Sequence, residues 1–115
     1  MADEKPVRGE VWNVNLDPVR GHEQGGGRPA VIVSVDQFNQ GPSGLVIVVP
    51  ITSKDKNIRS QVAIEAGEGG LKARSFAMCE AVRSISLERM TRRRGVVSPE
   101  TMEKVAYCLQ VLLGI

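Results

Sequence analysis

The chain has 115 residues, 42% of them hydrophobic, and a formal net charge of +2. That length supports one core and not two, so a single domain over residues 1–115 is expected, and so small a charge does not by itself establish a nucleic-acid partner. No apolar run approaches the ~20 residues needed to span a bilayer, and the two cysteines, Cys79 and Cys108, sit in apolar settings, which predicts buried reduced thiols in a cytoplasmic protein without a membrane role.

Residues 1–6 are polar and expected to fray. Residues 7–17 carry Trp12, Val14 and Leu16 at period 2, which predicts a strand with one buried face, ended by Asp17-Pro18. Residues 19–27 form a loop whose Gly25, Gly26 and Gly27 leave the backbone nearly unrestrained. Residues 29–35 are continuously apolar and predict a strand covered on both faces. Residues 36–39 make one helical turn with Asp36 as cap, and 40–44 form a turn. Residues 45–51 are the third strand, 52–60 a polar loop bearing Lys54, Lys56 and Arg59, and 61–65 a fourth strand. After a turn at 67–70, residues 75–79 and 81–85 are two short strands or one strand bent near Glu80, and 95–97 is a last short strand. Ser98 caps a helix with Pro99 at its first position. Met102, Val105, Ala106, Leu109, Leu112 and Leu113 form one apolar stripe along it, and Gly114 ends it. Six or seven short strands and one helix make a mainly β (α+β) fold, a small barrel or sandwich with the helix packed on it.

Polar residues cluster at the ends of the two stiffest runs. Arg28 offers five donors in a rigid, permanently charged fork, which suits a phosphate or a developing anion. As a surface residue it would only keep a strand edge soluble, but Pro29 holds its backbone extended and aims it. Thr52 and Ser53 carry hydroxyls that can bond a phosphate oxygen or simply cap a turn. His22 and Glu23, adjacent in the glycine-rich loop, suit proton transfer, although a loop histidine can equally be solvated. Glu80 is an acid in a bend between apolar strands. Arg89, Arg92, Arg93 and Arg94 form a basic run that reads as a charged edge strand kept from aggregating or as a phosphate contact surface. There is no nucleophile elbow, no phosphate-cradling P-loop, and with one histidine no spacing for a metal site. No metal and no cofactor are therefore expected.

Arg8-Gly9-Glu10-Val11-Trp12, Leu16-Asp17-Pro18, Gly21-His22-Glu23-Gln24 and Arg28-Pro29-Ala30-Val31-Ile32-Val33 resemble the opening of the MazF/PemK family of toxin–antitoxin toxins. Pro50-Ile51-Thr52-Ser53 resembles its second signature, Cys79-Glu80-Ala81-Val82-Arg83 its third, and the terminal helix also fits. The similarity runs from about Val7 to Gly114. It implies an SH3-like barrel, a homodimer, and a sequence-selective endoribonuclease that cleaves single-stranded RNA without a metal. It further implies a cognate antitoxin with an acidic disordered tail, and DNA binding in complex with that antitoxin. Catalysis would fall on Arg28 and Thr52, with Glu23 also tied to activity, and His22, Gln24, Ser53 and Glu80 would contact substrate.

Some family members place an arginine and an aspartate around the third signature as acid and base. Here Met78 and Glu80 stand at those positions, and Ala81 replaces the usual glutamine. An acid–base pair at 78 and 80 is not expected. The favoured mechanism is attack by the ribose 2′-hydroxyl, which spares the protein a nucleophile of its own. The alternative is a CcdB-like gyrase poison acting through its C-terminus, faintly suggested by Leu112-Leu113-Gly114-Ile115 and explained as well by helix capping.

Overall fold

The computed structural model describes residues 5–17, 20–23 and 25–115. Among them seven strands precede the main helix: β1 (Glu10–Asn15), β2 (Gly27–Ile32), β3 (Leu45–Thr52), β4 (Gln61–Ile64), β5 (Ser75–Met78), β6 (Arg83–Ser86) and β7 (Met90–Val96). A short helix α1 (Asp36–Asn39) joins β2 to β3, and α2 (Pro99–Leu113) follows β7. The expected mainly antiparallel β fold with a C-terminal helix is the observed one. Of the residues expected to fray, 1–4 lie outside the described residues, whereas Pro6 is buried.

β3 is the strand on which the sheet turns. One edge pairs with β2, in the register Ala30↔Pro50, Val31↔Val49 and Ile32↔Val48. The other edge is shared: Leu45 to Val48 pair with β6, and Ile51 and Thr52 pair with β5. Pro50 falls between those two pairings, where the ladder on that edge is already interrupted and a missing N–H does least harm. The path of the sheet runs β4-β5-β3-β2-β1-β7.

Period-2 alternation sends apolar side chains to both faces of this sheet. Val11, Val31, Val49, Ile51, Val62, Ile64 and Ala77 join Val105 of α2 in one core. Trp12, Val14, Ala30, Ile32, Val46, Val48 and Ile85 form the other. Cys79, fully buried, belongs to the first core, and Cys108 packs against it half-exposed. Burial pushes the Cys79 thiol up, and the neighbouring Cys108 adds to the shift.

Several local expectations are corrected. The strand expected at 29–35 is displaced toward the N-terminus: Gly27 and Arg28 are inside β2, paired with Asn15 and Val14 of β1. The glycine-rich loop is correspondingly tied down, with Gly26 N–H donating to Asp17 Oδ1 (2.8 Å) and Leu16 N–H to Gly26 O (3.0 Å). Asp36 does not cap α1; Val35 holds that position, and the Asp36 carboxylate accepts from Arg8 N–H at 2.7 Å. The final strand spans Met90–Val96 rather than 95–97 because Arg92, Arg93 and Arg94 belong to it, as a charged edge strand beside β1, while Arg89 closes the 3₁₀ turn before it. Ser98 caps α2 as expected, its Oγ accepting from Thr101 N–H at 3.1 Å, and Gly114 ends it in the left-handed region at φ 71°. The predicted stripe is buried only in its first half. Val105 is fully buried, while Leu112 and Leu113 are 47% and 59% exposed.

Two carboxylates stitch elements together. Burial alone would raise the Glu10 carboxyl, but the Arg93 guanidinium (2.6 Å), Trp12 Nε1–H (2.9 Å) and Val7 N–H (2.8 Å) outweigh it and hold it below its ordinary 4.5. Glu68 is likewise lowered: burial opposes, and hydrogen bonds from Thr101 and Ser98 prevail. A carboxyl depressed in the fold contributes its stability above the unfolded value and loses it as pH falls through the folded one. The thermal midpoint should therefore fall as pH is lowered from neutral through about 4.5. The Glu10→Gln, Glu68→Gln double variant should show a shallower fall; an identical slope would refute the assignment.

Candidate active site

The β2–β3 register builds the first half of the site. Continued two residues beyond Ala30↔Pro50, it sets Arg28 opposite Thr52 on the same face of the sheet. The two side chains line one open cleft with Ser53, Lys54 and Ser75. Arg28 is half-buried and aimed by two carbonyls: its Nε donates to Gly25 O at 3.1 Å and its Nη1 to Ile51 O at 3.4 Å. The remaining guanidinium N–H groups have no partner among the described residues, and no carboxylate pairs with Arg28 there. Thr52 Oγ1 accepts from Lys54 N–H at 3.2 Å, which leaves its hydroxyl proton available to an outside acceptor. A fixed, uncompensated guanidinium beside a hydroxyl donor is a site for an anionic oxygen.

The loop after β3 is held as firmly. Gln61 of β4 accepts from Lys56 N–H at 3.0 Å through Oε1 and donates to Lys54 O at 3.1 Å through Nε2. That clasp fixes the backbone from which Lys54 and Lys56 project.

His22, Glu23 and Glu80 meet in a neighbouring cleft of about 680 Å³, together with Lys56, Ala81, Val82 and Arg83. Glu23 Oε1 accepts from Arg20 N–H at 2.7 Å, closing its own loop, and its other oxygen has no partner among the described residues. Glu80 lies in the 3₁₀ turn between β5 and β6 and accepts from Ser60 Oγ at 2.7 Å. The candidates thus divide into two groups, Arg28 with Thr52 and Ser53, and His22 with Glu23 and Glu80. Gln24, expected to contact substrate, lies outside the described residues.

Met78 is fully buried, so no group at that position reaches either cleft. Residues that sequence reasoning passed over as site members are Lys54, Lys56 and Arg83. The two lysines were legible as basic residues following the Thr-Ser pair, but nothing local indicated that Arg83 would meet Glu23 across the fold. The described residues contain no group of three or more histidine, cysteine or acidic side chains able to hold a metal. None of their helices is long and apolar enough to cross a membrane.

A small, mainly antiparallel β protein with an arginine and a threonine lining one cleft at its strand ends defines the class. The chain belongs to the family of PemK-like, MazF-like toxins of type II toxin–antitoxin systems, matching it over residues 7–113. It is 38% identical to the endoribonuclease MazF9 of Mycobacterium tuberculosis over 113 residues, covering 94% of this chain and 96% of that protein. It is 31% identical to the endoribonuclease toxin MazF of Escherichia coli K12, covering 95% of both. Among solved structures, MazF of Deinococcus radiodurans superposes with a TM-score of 0.88 at 30% identity, over 98% of this chain and all of that one. A MazE–MazF complex from the same organism matches at 0.81, also with 30% identity, over 98% and 99% of the two chains. The C-terminus that faintly suggested a gyrase poison serves here as a helix cap, with Gly114 and Ile115 N–H both donating to Gln110 O at 2.9 and 3.0 Å.

Proposed function

We propose that this toxin is an endoribonuclease that cuts single-stranded RNA by attack of the ribose 2′-hydroxyl on the adjacent phosphate. The placement of Arg28 opposite Thr52, with donors on both that have no partner among the described residues, carries the reading. As the 2′-oxygen bonds to phosphorus and the bond to the 5′-oxygen breaks, negative charge grows on the non-bridging oxygens. Arg28 meets that charge with donors already oriented by Gly25 O and Ile51 O, so little reorganisation is needed during reaction. Thr52 donates its hydroxyl proton to one phosphate oxygen, and Ser53 and Lys54 line the same cleft. Proton transfer falls to Glu23 with His22 beside it, which take the proton of the 2′-hydroxyl and return one to the departing 5′-oxygen, and Glu80 and Gln24 contact substrate. The products are a 2′,3′-cyclic phosphate and a 5′-hydroxyl.

The sequence selectivity proposed for the enzyme would arise from base edges met by the 20–27 and 52–60 loops, since single-stranded RNA exposes those edges. We also read the protein as a homodimer. Tyr107, Val111, Leu112, Leu113 and Ile115 leave the end of α2 47% to 83% exposed, an apolar surface suited to a second copy. The D. radiodurans relative was crystallised with MazE. By analogy, an acidic antitoxin tail would order across clefts lined by Arg28, Lys54, Lys56 and Arg83 and exclude RNA.

Arg28→Ala should keep the fold by circular dichroism and lose at least about 100-fold in RNA cleavage, the cost of one oxyanion donor. Thr52→Ala should lose less, because Ser53 can supply a hydroxyl. Full activity in folded Arg28→Ala would remove that residue from its role. Cleavage should persist in excess EDTA, and DNA of the same sequence should survive. A single 2′-deoxy substitution at the cut nucleotide should abolish that cut alone; scission there would make water the nucleophile. Light scattering at micromolar concentration should give a dimer mass, and a monomer would refute the assembly.

A further inference from the structure

A second groove opens on the other side of Arg28 from Thr52. Asn13, Asn15 and Asp17 from β1 and its end, with Thr91 and Arg94 from β7, form its walls. β1 changes character along this face. Val11 is buried in the core under α2, and two and four residues on, Asn13 and Asn15 continue the same row into the open.

The hydrogen bonds fix which way both amides point. Arg94 Nη1–H donates to Asn13 Oδ1 at 3.1 Å, and Asp17 N–H donates to Asn15 Oδ1 at 3.1 Å. Each donor requires an oxygen, so the amide orientations are set by their partners and each Nδ2 is left as a donor with no partner among the described residues. Thr91 Oγ1–H closes on Asn13 O at 2.9 Å and pins β7 to β1 beside them.

Arg94 is also built in. Its Nη2 donates to Gly70 O at 2.9 Å. Gly70 has φ +71°, and a Cβ there would lie 2.3 Å from Arg94 O, so glycine is what lets this turn reach the strand. Both of Arg94's bonds go to neutral oxygens, and among the described residues no carboxylate pairs with it. Its charge, like that of Arg28, stays uncompensated. At the other end, Asp17 Oδ1 accepts from Gly26 N–H at 2.8 Å, and Oδ2, with no partner among the described residues, is an acceptor next to the Asn15 amide.

The groove therefore offers the Arg94 guanidinium, two oriented amide donors and, beside the second of them, one carboxylate acceptor, with Arg28 at its border. We propose that it holds the RNA nucleotide adjoining the scissile phosphate, on the side of Arg28 away from Thr52. The sugar–phosphate of that nucleotide lies along Asn13 and Arg94. Its base presents an acceptor to Asn15 Nδ2 and an N–H to Asp17, the alternation found on the pairing edge of an unpaired base. Asn13 and Asn15 are about 7 Å apart along the strand, too far to serve one bidentate base edge together, so the two amides divide between backbone and base. The inference rests on the ribonuclease reading and adds a specificity-determining subsite to it.

The test is competitive cleavage of an RNA pool randomised at the nucleotides on both sides of a cut site. Asn15→Asp keeps the shape and replaces the donor by an acceptor, and Asn15→Ala removes both; Glu103→Ala on α2 is the control. The wild type should discriminate among bases at one flanking position. Both Asn15 variants should reduce or invert that preference by about fivefold, roughly one hydrogen bond, while preference at the opposite flank is kept. Asn13→Ala should raise KM by a similar factor with kcat kept. Folded Asn15 variants with wild-type preference, together with wild-type KM in Asn13→Ala, would overturn the subsite while leaving the ribonuclease reading intact. A wild type that fails to cut any RNA would overturn that reading and this one with it.

Discussion

The pairing of β3 with three other strands is the constraint on which the rest depends. β2 lies along one edge, and β6 and β5 divide the other, so the strand belongs at once to both parts of the sheet. Its side chains enter both apolar cores, which makes hydrophobic alternation a weak guide to register: a slip of one residue would still bury valine or isoleucine on each face. What resists the slip is polar and local. Pro50 tolerates only the interrupted stretch of ladder, and Thr52 and Arg28 must come out at the open end. Proline is accommodated on the edge that β6 and β5 divide, and the pairing with β2 on the other edge sets arginine opposite threonine. The site is thus a consequence of how the core is threaded.

Polar groups elsewhere confirm how completely the interior is accounted for. Asn39 is fully buried, yet its Nδ2 donates to Ser34 O at 3.0 Å and its Oδ1 accepts from Ser34 Oγ, which in turn accepts from Ile47 N–H at 3.0 Å. This knot ties α1 to the start of β3. No buried side-chain nitrogen or oxygen among the described residues lacks a partner. Against that background, donors left open at Arg28, Thr52 and the β1 asparagines stand apart, since they are held by neighbours at one end and free at the other. Loops fastened by Gln61, Glu23 and Asp17 extend this rigidity to the rim of the sheet.

The departures from the family's third signature acquire a physical meaning in this setting. Position 78 ends β5 with its side chain inward, where Met78 packs in the core and an arginine would need to escape it. Glu80, two residues on, is outside, in a 3₁₀ turn that also brings Arg83 toward the glycine-rich loop. Charge in that cleft is consequently mixed, with Glu23 and Glu80 facing Lys56 and Arg83. The Arg28 cleft has cations and hydroxyls beside Pro29 and Ile51 and no acidic lining residue among those described, which suits the more negative oxygen atoms of a phosphate.

Much of this was determined locally and could be read from the chain. Ser98-Pro99 and Gly114 delimit α2 because capping is a matter of a few adjacent residues. The apolar runs around Val31 and Val48 announce buried strands, and Arg28-Pro29 and Thr52-Ser53 announce donors at their ends. Family motifs in the right order supplied the fold class. Other features depended on residues far apart in sequence. Gly27 and Arg28 are strand residues because Asn15 and Val14 lie beside them, and a glycine run by itself looks unrestrained. The arginine run is a strand because β1 offers it an edge, a fact that no charge pattern contains. The last turn of α2 is apolar in sequence but exposed, because burial depends on which distant elements pack on it and not on its own pattern. Separation of the site into two clefts and the anchoring of Asn13 by Arg94 were likewise decided by tertiary structure, because hydrogen bonds between distant strands leave no periodic trace in either one.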